Sequence, residues 1–206
     1  MADLESLLAI SSRDHSHLCP RQILGVRIGL AGLSTLGFAE PPSDKRLLVI
    51  LETDGCFADG VAVATGCRIG HRTLRVEDYG KTAATFADTQ TGRAVRLAPA
   101  AAVRELACAW VPDEPHPYLA QMQAYRTLPD ERLLTIADVQ LDPSIEQIVS
   151  KPGVRISCAI CGEEILNERE VCRDGMVLCR ACAGQAYYHA IVRVPRRLSL
   201  HGSVVP

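Results

Sequence analysis

Two pairs of cysteines near the carboxyl-terminal end constrain the fold of this 206-residue chain more than any other feature. Cys158 and Cys161 form one Cys-x-x-Cys pair, and Cys179 and Cys182 form a second after an interval of seventeen residues. Each pair can direct two sulfur atoms at one ion, and this spacing is typical of structural zinc sites. So short a segment cannot bury an adequate core alone, and we therefore expect the metal to supply much of its stability. The sequence predicts a small finger of the treble-clef or zinc-ribbon type.

The residues around these cysteines predict the rest of the finger. Asp174-Gly175 lies between short apolar segments, as in the turn of a β-hairpin, and a final helix is expected from the second pair to about Ile191. Cys172 is the odd thiol and is not expected to bind the ion. The segment from Cys158 to His189 carries three arginines against five acidic residues. Because acidic surfaces bind phosphate poorly, this charge favours contacts with protein over nucleic acid.

A domain boundary is predicted near residue 150. The proline-containing segments Asp142-Pro143 and Lys151-Pro152-Gly153 bracket it, and the composition changes sharply beyond them. We therefore expect a core domain over residues 1–150, and a four-cysteine finger with a basic tail over residues 151–206.

Composition excludes several classes of protein. A hydrophobic content of 48% with a formal net charge of −2 is typical of a globular chain, and not of a disordered or polybasic one. The first residues are acidic and lack the positive start of a secretory signal. The longest uncharged run, residues 28–39, is shorter than the roughly 20 residues of a membrane span. We expect a cytoplasmic protein, a compartment in which clustered cysteines indicate metal binding or catalysis.

The core domain is predicted to be α+β, with a mixed sheet and packed helices, because strand-like and helix-like segments alternate with hairpin-like turns. The helix expected over residues 21–36 contains Gly25, Gly29 and Gly32, whose small size would allow close approach of another element. Further helices are expected near residues 4–10, 56–64, 100–110 and 117–127, and strands near residues 46–53, 73–77, 82–87, 93–97 and 133–141.

Cys56 is the first candidate for chemistry in the core. It follows a strand-forming run, Leu47 to Leu51, and lies just after Asp54, a residue suited to begin a helix. At that position the helix dipole and free N–H groups would favour a thiolate, the form that binds metal or attacks an electrophile. A free cysteine is also often only a small buried apolar side chain, so this stretch alone leaves both interpretations open.

A second group of potential ligands strengthens the functional interpretation. His15, His17 and Cys19 provide three ligand side chains within five residues. The leading hypothesis is a core metal site built from His17 and Cys56 and completed by Cys19, Cys67 or His15. Such mixed nitrogen and sulfur ligands suit zinc or another transition metal. If only three ligands converge, the open position could hold water or substrate.

Other polar residues of the same stretch have candidate roles. Asp59, about one turn after Cys56, could orient a ligand histidine or accept a proton. Lys81 and Tyr79 could face an anionic substrate or cofactor, or could simply be surface residues where a strand begins. A redox pairing of Cys56 with Cys67 is a further alternative, although the Cys-x-x-Cys context of a thioredoxin is lacking.

Four motifs resemble the FmdE family, which takes its name from molybdenum formylmethanofuran dehydrogenase and its operon. They are His15-x-His17-Leu18-Cys19-Pro20, Asp54-Gly55-Cys56-x-x-Asp59, Thr65-Gly66-Cys67 and Asp78-Tyr79-Gly80-Lys81. The resemblance covers most of residues 13–100, and the four-cysteine segment is similar to a treble clef found in some members.

The resemblance implies an α+β homodimer with an active-site groove lined by the family's histidine and cysteine positions. It also implies a link to anaerobic one-carbon metabolism or to molybdenum and tungsten enzymes. The rival hypothesis is a non-catalytic accessory protein that docks on such an oxidoreductase through the finger. Transcriptional regulation through the finger is disfavoured by its acidic charge.

Overall fold

The computed structural model describes residues 3–13, 17–149 and 153–189. The chain divides into two compact units, residues 1–149 and 150–206. Among the described residues, no helix combines the length and the apolar character needed to cross a membrane.

The first unit is built on a five-stranded mixed sheet with the strand order β2-β1-β3-β4-β5. Strands β1 and β2 are parallel, and the remaining neighbours are antiparallel. Three central strands carry the buried apolar side chains expected of a sheet interior. The strands are β1 (Leu47–Leu51), β2 (Leu74–Val76), β3 (Ala84–Asp88), β4 (Ala94–Pro99) and β5 (Leu134–Val139).

Helices pack on this sheet and confirm the predicted α+β class. The large core joins the helices to one face of the sheet, with Leu8, Phe57, Phe86 and Tyr125 among its most buried side chains. The helices are α1 (Leu4–Ser11), α2 (Pro20–Thr35), α3 (Cys56–Thr65), α4 (Val103–Trp110), α5 (Pro117–Thr127), α6 (Asp130–Leu133) and α7 (Ile145–Val149).

Helices α2 and α3 pack unusually closely, as the glycines of α2 predicted. Gly25 lies against Phe57 and Gly60, and Gly29 lies against Ala64, so the two helices run side by side in the same direction. A Cβ atom added at Gly25 would be 2.3 Å from the carbonyl oxygen of Phe57. The consequence is that the amino-terminal ends of both helices lie next to each other.

The opposite face of the sheet has a smaller apolar cluster. Ile145 and Ile148 of α7 pack there on Leu48, Ala87 and Ala94. Helix α7 was not predicted from the sequence, because its five residues are too few for a clear helical period. The four-residue α6 was not predicted either.

One predicted helix start requires correction. The residue that precedes α3 as its N-cap is Gly55, with φ of 70°, and not Asp54. A positive φ is readily adopted only by glycine, and this explains why the chain turns into the helix there. Cys56 is therefore the first residue of α3.

Over residues 153–189, the second unit forms two short hairpins and one turn of π-helix, Ala181–Gln185. The hairpins pair β6 (Arg155–Ser157) with β7 (Glu164–Leu166), and β8 (Val171–Arg173) with β9 (Met176–Leu178). The turn predicted at Asp174-Gly175 is present, and both residues have positive φ. The helix predicted to about Ile191 is wrong over its described part, because Gly184 has φ of 92° and the helical turn ends at Gln185. Ile191 and the basic tail lie outside the described residues.

Candidate functional site

The second unit contains a four-cysteine cluster that can hold a metal ion. The sulfur atoms of Cys158, Cys161, Cys179 and Cys182 all lie within 4.8 Å of one another. The Sγ atoms of Cys161 and Cys179 are 3.9 Å apart. A tetrahedral ion with metal–sulfur bonds of about 2.3 Å places its sulfurs about 3.8 Å apart, so the cluster already has nearly this geometry. Cys172 is exposed in β8 and does not belong to this group.

Backbone N–H groups donate hydrogen bonds to sulfur atoms of this cluster, and such bonds stabilise the thiolate form that binds a metal ion. The N–H of Cys179 donates to Sγ of Cys158 at 3.3 Å, and the N–H of Cys182 donates to Sγ of Cys179 at 3.4 Å. Such backbone donors lower the pKa of Cys158 to about 6, whereas the hydrogen bond that the Cys182 thiol donates to Cys179 raises the pKa of Cys182 to about 12. Four thiolates this close repel one another, so full deprotonation requires a bound cation.

Two thiols of the core also lie together, at the adjacent amino-terminal ends of α2 and α3. Cys19 is the N-cap residue of α2, and Cys56 is the first residue of α3. Both side chains are half-buried, and the two thiols are near enough for Cys19 to influence the pKa of Cys56. We refer to Cys19 and Cys56 as the thiol pair.

The side chain of Gln22 fixes the Cys19 half of the thiol pair. Gln22 is fully buried, and its Oε1 accepts the backbone N–H of Cys19 at 3.0 Å. Its Nε2 donates to the carbonyl oxygen of Ser11 at 3.0 Å, and thereby joins α1 to the start of α2. Gln22 was not predicted from the sequence. The available signal was a glutamine three residues after an N-cap, the position of the reciprocal residue in a capping box.

The electrostatics of Cys56 differ from the prediction. Burial raises the pKa of its thiol, and the hydrogen bond and charge of Cys19 raise it further. The backbone N–H of Cys56 and the charge of Arg21 oppose this shift with weaker effects. The prediction that the helix start alone would favour a thiolate is therefore wrong. A cation bound by both sulfurs would reverse the balance, because it stabilises the charged form of each.

The other predicted core residues, three candidate ligands and the candidate acid–base residue Asp59, lie in different surroundings. His17 is exposed on the segment before α2, and Asp59 is exposed in the first turn of α3. Cys67 is buried just beyond the last residue of α3, where its Sγ lies 3.8 Å from the carbonyl oxygen of Leu47. His15 lies outside the described residues.

Cys67 cannot share an ion or a disulfide with Cys56 in this fold. The two residues lie at opposite ends of α3, whose ten residues span about 15 Å. Both the predicted ligand role of Cys67 and its redox pairing with Cys56 are thus corrected by the length of the helix. Within the described residues, the finger cysteines are the one group of three or more potential ligands whose ligand atoms converge.

The Tyr79–Lys81 segment is tied to the end of β1. The backbone N–H groups of Tyr79 and Lys81 both donate to the carbonyl oxygen of Glu52, at 3.0 and 3.1 Å. The Glu52 carboxylate, itself buried, receives two hydrogen bonds from Arg96 at 2.5 and 2.7 Å, and this contact lowers the pKa of Glu52. Both side chains of the segment are exposed. Since α3 begins four residues after Glu52, the segment is anchored at the same end of β1 from which the chain enters α3.

Comparison with known proteins agrees with this architecture. The family model described as "FmdE, Molybdenum formylmethanofuran dehydrogenase operon" matches residues 15–137, which is more than half of the chain. The chain therefore belongs to the FmdE family, as its motifs indicated.

Two individual proteins are similar to this chain. A protein of Archaeoglobus fulgidus named "Probable S-adenosyl-L-methionine-binding protein" is 36% identical over 97 residues. The match covers 46% of this chain and 26% of that protein, so the chain spans only about a quarter of its length. The crystal structure of a tungsten formylmethanofuran dehydrogenase FmdE-like protein from Syntrophus aciditrophicus aligns with a TM-score of 0.56 at 21% identity. That alignment covers 91% of this chain and 96% of the other, and it shows a shared fold.

Proposed function

We propose that the core domain is a metal-binding module whose ion is held by the thiol pair, with His17 or His15 as a further ligand. The observation that carries the proposal is the placement of two half-buried thiols side by side at two adjacent helix starts. The positive ends of two helix dipoles favour anionic sulfur there once a cation offsets its burial. Zinc and other transition metals accept such mixed sulfur and nitrogen ligands.

The residues around the pair fit a site with an open coordination position. A bound metal would supply Lewis acidity to a substrate at that position. Asp59, three residues after Cys56 on α3, is assigned the role of orienting a ligand or accepting a proton. Lys81 and Tyr79 are assigned to bind an anionic group of the substrate or cofactor. The hydrogen bonds from their backbone to Glu52 keep these two residues near the end of β1.

The family supplies the biological setting of this proposal. Its description names the operon of molybdenum formylmethanofuran dehydrogenase. We accordingly place the protein in anaerobic one-carbon metabolism in the cytoplasm, as a homodimer, with an oxidoreductase as its partner. In the second unit we assign zinc to the four cysteines, in a treble-clef arrangement, because four sulfur ligands at tetrahedral spacing suit that ion.

Metal counts on the full chain test both sites at once. Elemental analysis of anaerobically purified protein should give two metal ions per chain, and one after either Cys56→Ser or Cys161→Ser. Cys108→Ser is the matched control, because Cys108 is a half-buried thiol on α4 that belongs to neither site. It should retain both ions. A wild-type chain with one ion that is lost only in Cys161→Ser would refute the core site.

A non-catalytic accessory role is the second candidate, and the surface of the finger favours it. Seven large apolar side chains in the described part of this unit are exposed: Val154, Ile156, Ile160, Leu166, Met176, Tyr187 and Tyr188. Several exposed apolar side chains on so small a unit are typical of a surface that contacts another protein. If this role holds, Ile160→Asp should abolish co-purification of the oxidoreductase while both metal ions remain. Retained co-purification would contradict it.

A further inference from the structure

An open cavity of about 550 Å³ lies at the end of α3 that is remote from the thiol pair. It is formed by the segment before β1, by the last turn of α3, and by the segment between α3 and β2. We call it the basic pocket. The residues that line it are Pro41, Pro42, Ser43, Lys45, Leu47, Thr65, Gly66, Cys67, Arg68, His71 and Thr73.

Three basic side chains face this pocket without acidic neighbours in its lining. They are Lys45, Arg68 and His71, and all three are exposed. None of the described residues that line the pocket is Asp or Glu, and no ion pair joins any of the three to another described residue. The acidic residue next to Lys45 in sequence, Asp44, accepts the backbone N–H of Arg46. The positive charge of the pocket is therefore available to a ligand.

The floor of the pocket is fixed by internal hydrogen bonds. Thr65 donates its hydroxyl to the carbonyl oxygen of Val61 at 2.7 Å, and accepts the backbone N–H of Cys67 at 3.2 Å. The hydroxyl of Thr73 accepts the backbone N–H of Arg68 at 3.0 Å. These contacts hold the backbone at Arg68 in place.

The remaining wall is apolar. Pro41, Pro42 and Leu47 line it, and Leu47 is almost completely buried. Ligand sites commonly combine such a wall with a few polar groups, in cavities of about 300–1,000 Å³. The volume here exceeds the need of a bare anion and leaves room for an attached organic group beside the prolines.

We propose that the basic pocket binds a small phosphomonoester, with the phosphate at Arg68, Lys45 and His71 and the organic group against Pro41 and Pro42. A guanidinium offers paired N–H donors to phosphate, and a lysine adds a point charge. A nucleic acid strand is a poorer fit, because the whole chain carries a net charge of −2.

This site is independent of the proposed core metal. The ten residues of α3 place about 15 Å between its two ends, so the phosphate position and the thiol pair cannot share a ligand of the same size. Loss of the metal through Cys56→Ser should leave phosphomonoester binding unchanged. Failure of one proposal is thus distinguishable from failure of the other.

Calorimetric titration of the full chain with phenyl phosphate tests the proposal. Inorganic phosphate and phenol are the two comparison probes, and they separate the contributions of the anion and the apolar wall. Arg68→Gln and Lys45→Gln should each weaken phenyl phosphate binding about 10- to 100-fold, the range for losing a hydrogen bond to a charged group. Arg104→Gln is the matched control, since Arg104 is an exposed arginine on α4 away from the pocket, and it should bind as the wild type does.

Each outcome of the titration supports or overturns the proposal. Saturable binding of phenyl phosphate, weaker binding of inorganic phosphate, no binding of phenol, and loss in both pocket variants would support it. Phenyl phosphate that fails to bind the wild type, or binds equally well to Arg68→Gln and Lys45→Gln, would overturn it. Because both variants alter exposed side chains, unchanged thermal unfolding will show that any loss reflects the pocket and not the fold.

Discussion

Gly60 lies where α3 crosses α2, and its replacement by alanine tests whether this close packing builds the thiol pair. A Cβ atom at Gly60 would lie 2.5 Å from the carbonyl oxygen of Gln22, 2.9 Å from the backbone nitrogen of Val26 and 3.0 Å from Cα of Gly25. All three are backbone atoms that no side-chain rotation can move. Since nonpolar contacts are favourable at about 3.5–4 Å, the helices must separate by about 1 Å to admit the methyl group.

The magnitude follows from two opposing effects. Overpacking a well-filled interface costs about 1–3 kcal/mol. Alanine is the better helix former by about 1 kcal/mol, which offsets part of that cost. The net loss in free energy of unfolding is about 0–2 kcal/mol, and we expect about 2 kcal/mol for Gly60→Ala because all three clashing atoms belong to the backbone. In a chain of this size a loss of about 2 kcal/mol lowers Tm by roughly 4–8 °C.

The same displacement should weaken the core metal site. Gln22, whose carbonyl oxygen meets the new methyl group, also holds the backbone of Cys19. A shift of about 1 Å between α2 and α3 would therefore move Cys19 away from Cys56, and metal affinity depends steeply on ligand position. The assay is a metal titration of Gly60→Ala in the Cys161→Ser background, combined with thermal unfolding followed by circular dichroism.

Gly70→Ala is the control for this experiment. A Cβ atom at Gly70 would have no neighbour within 4 Å, so the change should leave both Tm and core metal binding as in the wild type. If Gly60→Ala is as stable as the control and binds the core metal equally well, the packing of α2 on α3 does not set the geometry of the thiol pair. That result would refute the link between helix packing and the core metal site.

Three further predictions concern single side chains. Gln22→Leu should lower the free energy of unfolding by about 1–3 kcal/mol in urea titrations, because it removes the acceptor for Cys19 and the donor to α1; an unchanged midpoint would contradict this. Arg46 holds the pKa of the buried Asp88 carboxyl well below its usual range, so the stability from this pair is present above the ordinary carboxyl pKa and is lost as the pH falls below about 4. Asp88→Asn should thus destabilise the protein by about 1.5–3 kcal/mol at pH 7 and show a weaker acid dependence in thermal melts, whereas parallel pH profiles would argue against the assignment. Cys67→Ser should leave the metal count unchanged, and a lost ion would show that α3 does not separate this thiol from the core site.

The sequence was sufficient to predict those features that depend on local pattern. The glycines of α2 indicated close packing because each one lowers helix stability, a cost that close contact with another element can offset. In the structure, Gly25 packs directly against Gly60 of α3. The convergence of the four finger cysteines was predicted because two Cys-x-x-Cys pairs at this spacing are typical of one shared metal site. The Asp174-Gly175 dipeptide between two short apolar segments likewise predicted the hairpin turn that is present there.

Features that depend on three-dimensional separation were not predictable in the same way. Cys67 is eleven positions from Cys56 in sequence, and only the helix between them puts the two thiols at opposite ends of α3. The pKa of Cys56 was predicted in the wrong direction because burial of the thiol in the folded chain, a tertiary effect, outweighs the effect of the helix start. The pairing of Glu52, just after β1, with Arg96 of β4 joins residues 44 positions apart and has no local signal in the sequence.

The direction of the two helices connects the fold to the proposed chemistry. Had α3 run antiparallel to α2, the start of one helix would face the end of the other, and Cys19 would lie beside Cys67 instead of Cys56. The short connection from β1 into α3, with Gly55 at positive φ, determines the direction in which α3 leaves the sheet. Gly25 and Gly60 then allow the backbones to approach closely enough for two small thiols to meet. The placement of glycines outside the thiol pair is therefore as necessary to the proposed metal site as the cysteines themselves.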